Sequence, residues 1–225
     1  MSLAFEAVVF DLDGTLIDSA PGILKGFETA FARCCVTPRQ PWSTTLIGPP
    51  LLQTIAEQCG SQDPELLESL RAAFVAYYDN EGFRLSTPYF GIHDLLETLQ
   101  GRGVRQFIAT NKRIGPTQRI LSHLGWISLF EGVFGVDSVA AAPTPKVEVI
   151  RHITRTFDLI GERSLYVGDR MEDYEAASTA GLPFALATWG FSEAEALVPP
   201  ICARAHSTES LGRLVCGYKS HSCQK

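Results

Sequence analysis

Five short apolar runs in this sequence each end abruptly at a polar residue or a turn. They are AVVF before Asp11, QFIA before Thr110, GVFGV before Asp137, SLYVG before Asp169 and FALAT before Trp189. A strand that is covered on both faces is apolar at every position, whereas a strand covered on one face alternates. These runs therefore predict a parallel β-sheet with helices on both faces.

Between the runs lie segments in which apolar residues recur three and four positions apart, the spacing of an amphipathic helix. Examples are Ile92, Leu95, Leu96 and Leu99; Ile120, Leu121 and Leu124; and Val147, Ile150 and Ile153. Strands that alternate with helices predict an α/β fold with a doubly wound parallel sheet. Ligands of such sheets gather beyond the carboxyl ends of the strands, so we expect the functional site there.

The interval from residue 20 to 85 breaks this alternation. It contains no strand-like run and shows only helical patterns. These patterns are Ile23, Phe27 and Phe31; Leu51, Ile55 and Cys59; and Leu66, Leu70, Phe74 and Tyr77. The simplest interpretation is an inserted helical domain, here called the insert (residues 20–85), within a core domain formed by residues 1–19 and 86–225.

The composition limits the classes of function. The 225 residues include 19 Lys and Arg and 25 Asp and Glu, which gives a formal charge of -6. A chain without a basic block is a poor partner for a nucleic-acid polymer, whereas a small anionic substrate is compatible with it. We find no secretory or membrane-spanning pattern and expect a soluble, cytoplasmic protein. The six cysteines and five histidines show no metal-ligand spacing.

Two aspartates directly follow the first apolar run, in the stretch AVVFDLDGTLIDSA. Residues two apart in a strand share one face, so Asp11 and Asp13 can point into one crevice beyond the strand end. Gly14 permits the turn that this requires. Two crowded carboxylates repel each other unless they share a divalent cation or a proton. The alternative is an Asp-Gly turn in which Asp13 and Thr15 bond nearby backbone groups.

Two further candidates follow the second and third runs. Thr110 comes after QFIA, and its hydroxyl, with the amides of Asn111 and Lys112, can receive an anion at a strand-to-helix junction. Lys146, in PTPKVEVI, is a candidate point charge for phosphate. Each has a simpler interpretation, because a threonine here commonly caps the next helix and most lysines are surface residues.

The fourth run ends in GDRMED, which places Asp169 at the strand tip and Asp173 at the start of the next helix. Mg²⁺ prefers carboxylate and water oxygens and usually needs only one or two protein carboxylates. These two aspartates are therefore candidate metal ligands. The alternative for Asp173 is that its charge only complements the helix N-terminus.

Together these residues suit phosphoryl transfer. Asp11 can attack phosphorus, Asp13 can protonate the departing oxygen and then activate water, and Asp169 with Asp11 can hold Mg²⁺. Thr110 and Lys146 can offset charge on the equatorial oxygens. The residues expected to contact the substrate phosphate are Asp11, Gly14, Thr110, Asn111 and Lys146.

Four motifs, taken in order, resemble the haloacid dehalogenase-like (HAD) phosphatases. They are DLDGT at 11–15, ATNK at 109–112, Lys146, and GDRMED at 168–173. The resemblance covers most of the chain and implies an α/β core with an inserted type I helical cap. In this family the cap closes over the site, excludes water and selects the substrate.

The same resemblance implies roles for the aspartates. Asp11 is the expected nucleophile and Asp13 the general acid and base. Mg²⁺ is expected to be bound by Asp11, the backbone carbonyl of Asp13, and Asp169, with Asp173 in support. Thr15 is similar to the threonine of phosphatase members.

Two resemblances within the family disagree about the substrate. FDLDGTLIDSAPGI and TNK are similar to phosphoglycolate phosphatases, whereas IGPPLL and PTPKVEVI are similar to a branch of 5'-nucleotidases. We expect a Mg²⁺-dependent phosphatase for a small phosphate ester, acting as a monomer or homodimer. A phosphosugar mutase of the same fold and a receiver-type phospho-switch are the less favoured alternatives.

Overall fold

The structure, a computed structural model, describes residues 4–140, 143–191 and 203–217. Its strands in chain order are β1 (Ala7–Phe10), β2 (Ile17–Asp18), β3 (Thr87–Pro88), β4 (Arg105–Ala109), β5 (Gly132–Phe134), β6 (Ser164–Gly168), β7 (Phe184–Ala187) and β8 (Ala203–Ala205). Six of them form one parallel sheet in the order β5-β4-β1-β6-β7-β8. The predicted doubly wound α/β fold is confirmed.

Eight α-helices lie in the described residues. They are α1 (Ala20–Arg33), α2 (Leu51–Cys59), α3 (Pro64–Tyr78), α4 (Ile92–Gly101), α5 (Ile114–His123), α6 (Lys146–Thr156), α7 (Met171–Ala180) and α8 (Thr208–Cys216). Short 3-10 turns occur at Thr44–Leu46, Gly82–Leu85, Ile127–Leu129 and Gly161–Arg163. Across the described ranges, none of the helices has the length and apolar character that a membrane span requires.

The central strand β1 shows why its sequence is apolar at every position. Val8 and Phe10 belong to the core on one face of the sheet, together with apolar residues of α4, α5 and α8. Ala7 and Val9 belong to the core on the other face, against α6 and α7. All four side chains are buried, as expected for a strand between two helical layers.

The insert contains α1, α2 and α3, as its helical patterns predicted. The chain leaves and re-enters the core through a two-residue antiparallel pairing of β2 with β3. Aromatic side chains fill the insert, with Phe27 packed on Trp42 at 5.6 Å and on Phe74 at 4.9 Å between ring centroids. The predicted apolar face of α3 needs one correction, because Tyr78, four residues after Phe74, is buried and Tyr77 is only half-buried.

Candidate active site

Three candidate residues directly follow neighbouring strands of the sheet. Asp11 comes after β1, Thr110 after β4 and Asp169 after β6. Backbone hydrogen bonds fix the ends of these strands, since Asp11 N donates to Val167 O at 2.9 Å and Thr110 N donates to Phe134 O at 3.0 Å. All three side chains are buried. These three candidate residues therefore lie together at the carboxyl edge of the sheet.

Three carboxylates meet at this edge. Oxygen atoms of Asp11, Asp169 and Asp173 lie within 4.8 Å of one another. Asp173 reaches them from the first turn of α7, where its Oδ2 accepts hydrogen bonds from the backbone N of Asp169 at 3.2 Å and of Arg170 at 3.1 Å. Asp173 thus both caps the helix N-terminus and belongs to the carboxylate cluster, and its role as a metal ligand stays a prediction.

Burial and mutual repulsion change the protonation of this cluster. Burial raises the pKa of Asp11 to about 7, and Asp173 adds to this rise while Lys146 opposes it. Burial also raises the pKa of Asp169 to about 8, with further contributions from Asp173 and Asp11. A hard cation would offset both the burial and the repulsion, so this cluster of buried carboxyl oxygens is a favourable environment for one.

Glycines bring the backbone close to the same cluster. A Cβ atom on Gly14 would lie 2.4 Å from Asp169 Oδ2, and one on Gly190 would lie 2.3 Å from Asp169 Cβ. Gly14 also has a φ of 86°, which L side chains rarely adopt. Asp169 Oδ2 accepts from the backbone N of Phe191 at 2.7 Å, and Thr15 Oγ1 donates to Oδ1 at 3.4 Å. The oxygen donors and their tight backbone cradle fit Mg²⁺.

Lys146 begins α6 and lies between two of the carboxylates. Its Nζ is 2.9 Å from Asp11 Oδ1 and 2.5 Å from Asp173 Oδ1. Burial alone would lower the pKa of Lys146, but the two carboxylates raise it well above its usual value, so the ammonium stays charged. Lys146 is therefore a buried cation of the site and not one of the surface lysines.

Asp13 lies apart from this cluster and has a partner that the sequence did not reveal. Its Oδ2 is 2.9 Å from Nζ of Lys112, which also donates to Tyr78 Oη of the insert at 3.0 Å. Sequence reasoning considered only the backbone amide of Lys112, which donates to Thr110 Oγ1 at 3.2 Å. Nothing in the motif ATNK indicates that the lysine side chain turns toward Asp13.

Two other residues of the predicted motifs contact the insert. Asn111, predicted to bind phosphate, donates from Nδ2 to Gly48 O at 3.4 Å, and Arg170 donates from Nη2 to Thr44 O at 3.1 Å. Loops that follow β4 and β6 thus touch the same part of the insert, around the 3-10 turn Thr44–Leu46. The insert covers the carboxyl edge of the sheet at the candidate site.

Sequence reasoning also missed Tyr166, a buried residue inside β6. Its hydroxyl lies 2.9 Å from Ala109 O and 3.4 Å from Asp173 Oδ1, beneath the carboxylate cluster. A tyrosine within an apolar run is indistinguishable from an ordinary core residue until the neighbouring strand is known. Arg170 was not a candidate either, because the sequence analysis of GDRMED considered only its aspartates, Asp169 and Asp173.

The comparisons with known proteins agree with this geometry. Residues 8–187 match the model of a family described as haloacid dehalogenase-like hydrolase. A phosphoglycolate phosphatase of Rhodobacter capsulatus is 33% identical over 94% of this chain and 97% of its own length. A 5'-nucleotidase of Pseudomonas aeruginosa is 32% identical over 87% of this chain and 88% of its own length.

Another relative carries a different kind of name. The tyrosine-protein kinase PtkA of Mycobacterium tuberculosis is 34% identical over 84% of this chain, which spans only 64% of the length of that protein. Among solved structures, a haloacid dehalogenase-like family hydrolase from Streptococcus pneumoniae has a TM-score of 0.81 at 29% identity, covering 92% of this chain and 97% of its own. Because the family model matches most of this chain, the chain belongs to the haloacid dehalogenase-like hydrolase family.

Proposed function

We propose that the protein is a Mg²⁺-dependent phosphatase that hydrolyses a small phosphomonoester through an aspartyl-phosphate on Asp11. The observation that carries this proposal is the buried cluster of Asp11, Asp169 and Asp173 with Lys146 at the carboxyl edge of the sheet. The reaction needs one carboxylate that attacks phosphorus and others that hold a cation. The three buried carboxylates, with the Lys146 ammonium fixed between two of them, can provide both functions.

The carboxylates divide the work of binding and attack. Asp11, Asp169 and the backbone carbonyl of Asp13 are the proposed Mg²⁺ ligands, with Asp173 in support. When bound by these residues, Mg²⁺ would offset charge on the phosphoryl oxygens. Asp11 attacks phosphorus while Lys146, 2.9 Å from its Oδ1, restrains the carboxylate and offsets charge on the phosphoryl group.

The remaining steps move protons and orient the phosphoryl group. Asp13 protonates the leaving oxygen as the P–O bond breaks, and its conjugate base then takes a proton from the water that hydrolyses the aspartyl-phosphate. In this proposal Thr110 and Lys146 offset charge on the phosphoryl oxygens, and Gly14 and Asn111 contact the phosphate. Both products, phosphate and an alcohol, then leave.

We assign the insert, residues 20–85, the role of a cap domain on the core formed by 1–19 and 86–225. Its contacts with Asn111, Lys112 and Arg170 support this role, because all three residues lie in loops at the strand ends. A cap in this place excludes bulk water, which strengthens the electrostatic interactions within the site. It also limits the size of the leaving group, which favours a metabolite.

The preferred substrate class is phosphoglycolate or a similar small phosphate ester, as for the Rhodobacter capsulatus relative. The alternative is a nucleoside monophosphate, as the name of the Pseudomonas aeruginosa relative suggests. The name of the mycobacterial relative indicates a different activity, phosphoryl transfer to a tyrosine. A cytoplasmic location and a monomeric or homodimeric state stay predictions.

The proposal is tested by phosphate release from 2-phosphoglycolate, nucleoside monophosphates and sugar phosphates, with Mg²⁺ and with EDTA. We expect Mg²⁺-dependent release from at least one of them, and loss of turnover by several orders of magnitude in Asp11→Asn. The amide is isosteric and can still accept from Lys146, so the variant should fold. Asp158→Asn, an exposed aspartate with a φ of 50° that asparagine tolerates, is the matched control. Turnover retained by Asp11→Asn would overturn the nucleophile assignment.

A further inference from the structure

The two carboxylate oxygens of Asp13 have different surroundings. Oδ2 is paired with Lys112 Nζ at 2.9 Å. Oδ1 is buried and has no hydrogen-bond partner among the described residues. A buried acceptor without a partner is costly, so its retention points to a ligand that provides the missing donor. On the proposed function, that donor is the attacking water, and the same Oδ1, once protonated, donates to the oxygen of the substrate's leaving group.

Lys112 is itself held by the insert. Its side chain is 8% exposed, and its Nζ donates to both Asp13 Oδ2 and Tyr78 Oη. The ammonium also lies 4.7 Å from the centroid of the Tyr78 ring, within the range of a cation–π contact. Tyr78 is buried at the end of α3, with its ring stacked on Phe74 at 5.5 Å. Tyr78, packed within the insert, thus holds Lys112, and Lys112 in turn holds Asp13.

We propose that Lys112 is a positioning residue for Asp13, which it holds through Oδ2 so that Oδ1 faces the reacting oxygen. This inference rests on the proposed function, in which Asp13 transfers the proton. Tyr78 completes the arrangement only when the insert is in place, so the acid is aligned when the site is covered. The carboxyl group of Asp13 is free to rotate when either contact is lost.

A competing role for Lys112 is direct binding of an anionic group on the substrate. The two roles predict different kinetics. A positioning residue acts through Asp13, so its removal lowers kcat and has no further effect once Asp13 has been replaced. A substrate-binding lysine raises KM, and its removal affects the Asp13 variant as much as the wild type.

The test is a double-mutant cycle of Lys112→Met and Asp13→Asn. The substrates are the best alkyl phosphate from the screen and p-nitrophenyl phosphate, whose leaving group needs little protonation. We expect Lys112→Met to lower the rate of Asp11 phosphorylation by about 10- to 100-fold for the alkyl phosphate and by much less for p-nitrophenyl phosphate, whose nitrophenolate burst reports this step. Hydrolysis of the aspartyl-phosphate, in which Asp13 is the base, should slow equally for both substrates. In the Asp13→Asn background, kcat should not fall further for either substrate when Lys112 is also replaced.

Conservative variants separate positioning from folding. Lys112→Arg should recover part of the lost kcat, and Tyr78→Phe, which removes only the hydroxyl, should lower kcat with little change in KM. Lys25→Met, at an exposed lysine paired with Glu28, is the control and should behave as wild type. Melting curves identify any variant that does not fold, in which case Tyr78→Phe and Lys112→Arg decide the matter.

Two results would overturn the inference while leaving the proposed function intact. One is an additive effect of the two substitutions on kcat. The other is a rise in KM, without a fall in kcat, in Lys112→Met and Lys112→Arg. If the wild-type protein releases no phosphate with Mg²⁺, the proposed function itself fails. That failure is seen without any substitution, so it is distinct from the two results above.

Discussion

At the scale of single residues, Asp11 and Asp169 carry a cost that a bound cation can offset. Burial holds their pKa values near 7 and 8, far above the usual 3.8. The folded protein without metal therefore binds protons that the unfolded chain has already lost at neutral pH. Since stability falls with pH wherever the folded state binds more protons, the metal-free protein should lose stability as pH rises from about 4 to about 8.

This linkage predicts a pH-dependent response to Mg²⁺. Mg²⁺ displaces the protons and binds only the folded site, so its stabilising effect should be small at about pH 5 and large at about pH 8. The measurement is the melting temperature across this range, with Mg²⁺ and with EDTA. Asp169→Asn should reduce the response. An equal response at both ends of the range would show that these two carboxyls do not bind the cation.

Gly14 offers a sharper test of the backbone cradle. Gly14→Ala adds a methyl group 2.4 Å from Asp169 Oδ2, at a φ of 86°. We expect the displaced carboxylate to weaken Mg²⁺ binding and to reduce turnover by at least about 100-fold, as misplaced catalytic groups do. The measurements are turnover and the Mg²⁺-dependent rise in melting temperature.

A matched control separates strain from displacement. Gly103 has a φ of 78° and no heavy atom within 4 Å of its added Cβ. Gly103→Ala should cost about 1–2 kcal/mol of stability from the left-handed conformation alone and leave turnover unchanged. If both substitutions reduce turnover equally, the contact with Asp169 is not the reason for Gly14.

At the scale of elements, strands that are apolar throughout could be predicted from the sequence. The runs AVVF and SLYVG correspond residue for residue to β1 and β6, because both strands are buried on both faces. Strand β8 was not predicted, since only Ala205 of its three residues is buried and Arg204 is exposed. The pairing of β2 with β3 involves two residues each, too few to form a pattern.

The candidate site was predictable as far as strand ends determine it. Asp11, Thr110 and Asp169 follow from topology, because neighbouring parallel strands end at one edge. The partners of the side chains were not predictable, since they depend on elements distant in sequence. Lys112 and Asp13 are 99 positions apart, the difference of their residue numbers, and Tyr78 comes from a separate helical segment.

At the scale of the whole molecule, charged contacts join the insert to the core beside the site. Asp79, which follows α3, pairs with Arg113 at 2.7 Å, and its backbone carbonyl also accepts from Arg119. The pair is partly exposed, with side chains 36% accessible for Arg113 and 19% for Asp79. Partly exposed ion pairs are weak, so these contacts can hold the insert over the site and still let it open for substrate entry.

This arrangement predicts discrimination by substrate size. A covered site should hydrolyse small phosphate esters, whereas a phosphotyrosine within a folded protein should react at least about 100-fold more slowly, because closure around it is blocked. Asp79→Ala weakens the contact between insert and core, so it should lower kcat/KM for the small ester and narrow this difference. The measurement is phosphate release from p-nitrophenyl phosphate and from a phosphotyrosyl protein, compared between the wild type and Asp79→Ala.

The control for this last test is Glu68→Ala, which breaks an exposed pair with Arg71 inside α3 and touches no core residue in the described contacts. It should leave both rates unchanged. Rapid hydrolysis of the phosphotyrosyl protein by the wild type would contradict a closing insert and favour a protein substrate. Tyr78, the partner of Lys112, also lies in the insert. That result would therefore also mean that Lys112 can hold Asp13 in place while the insert is open enough to admit a macromolecule.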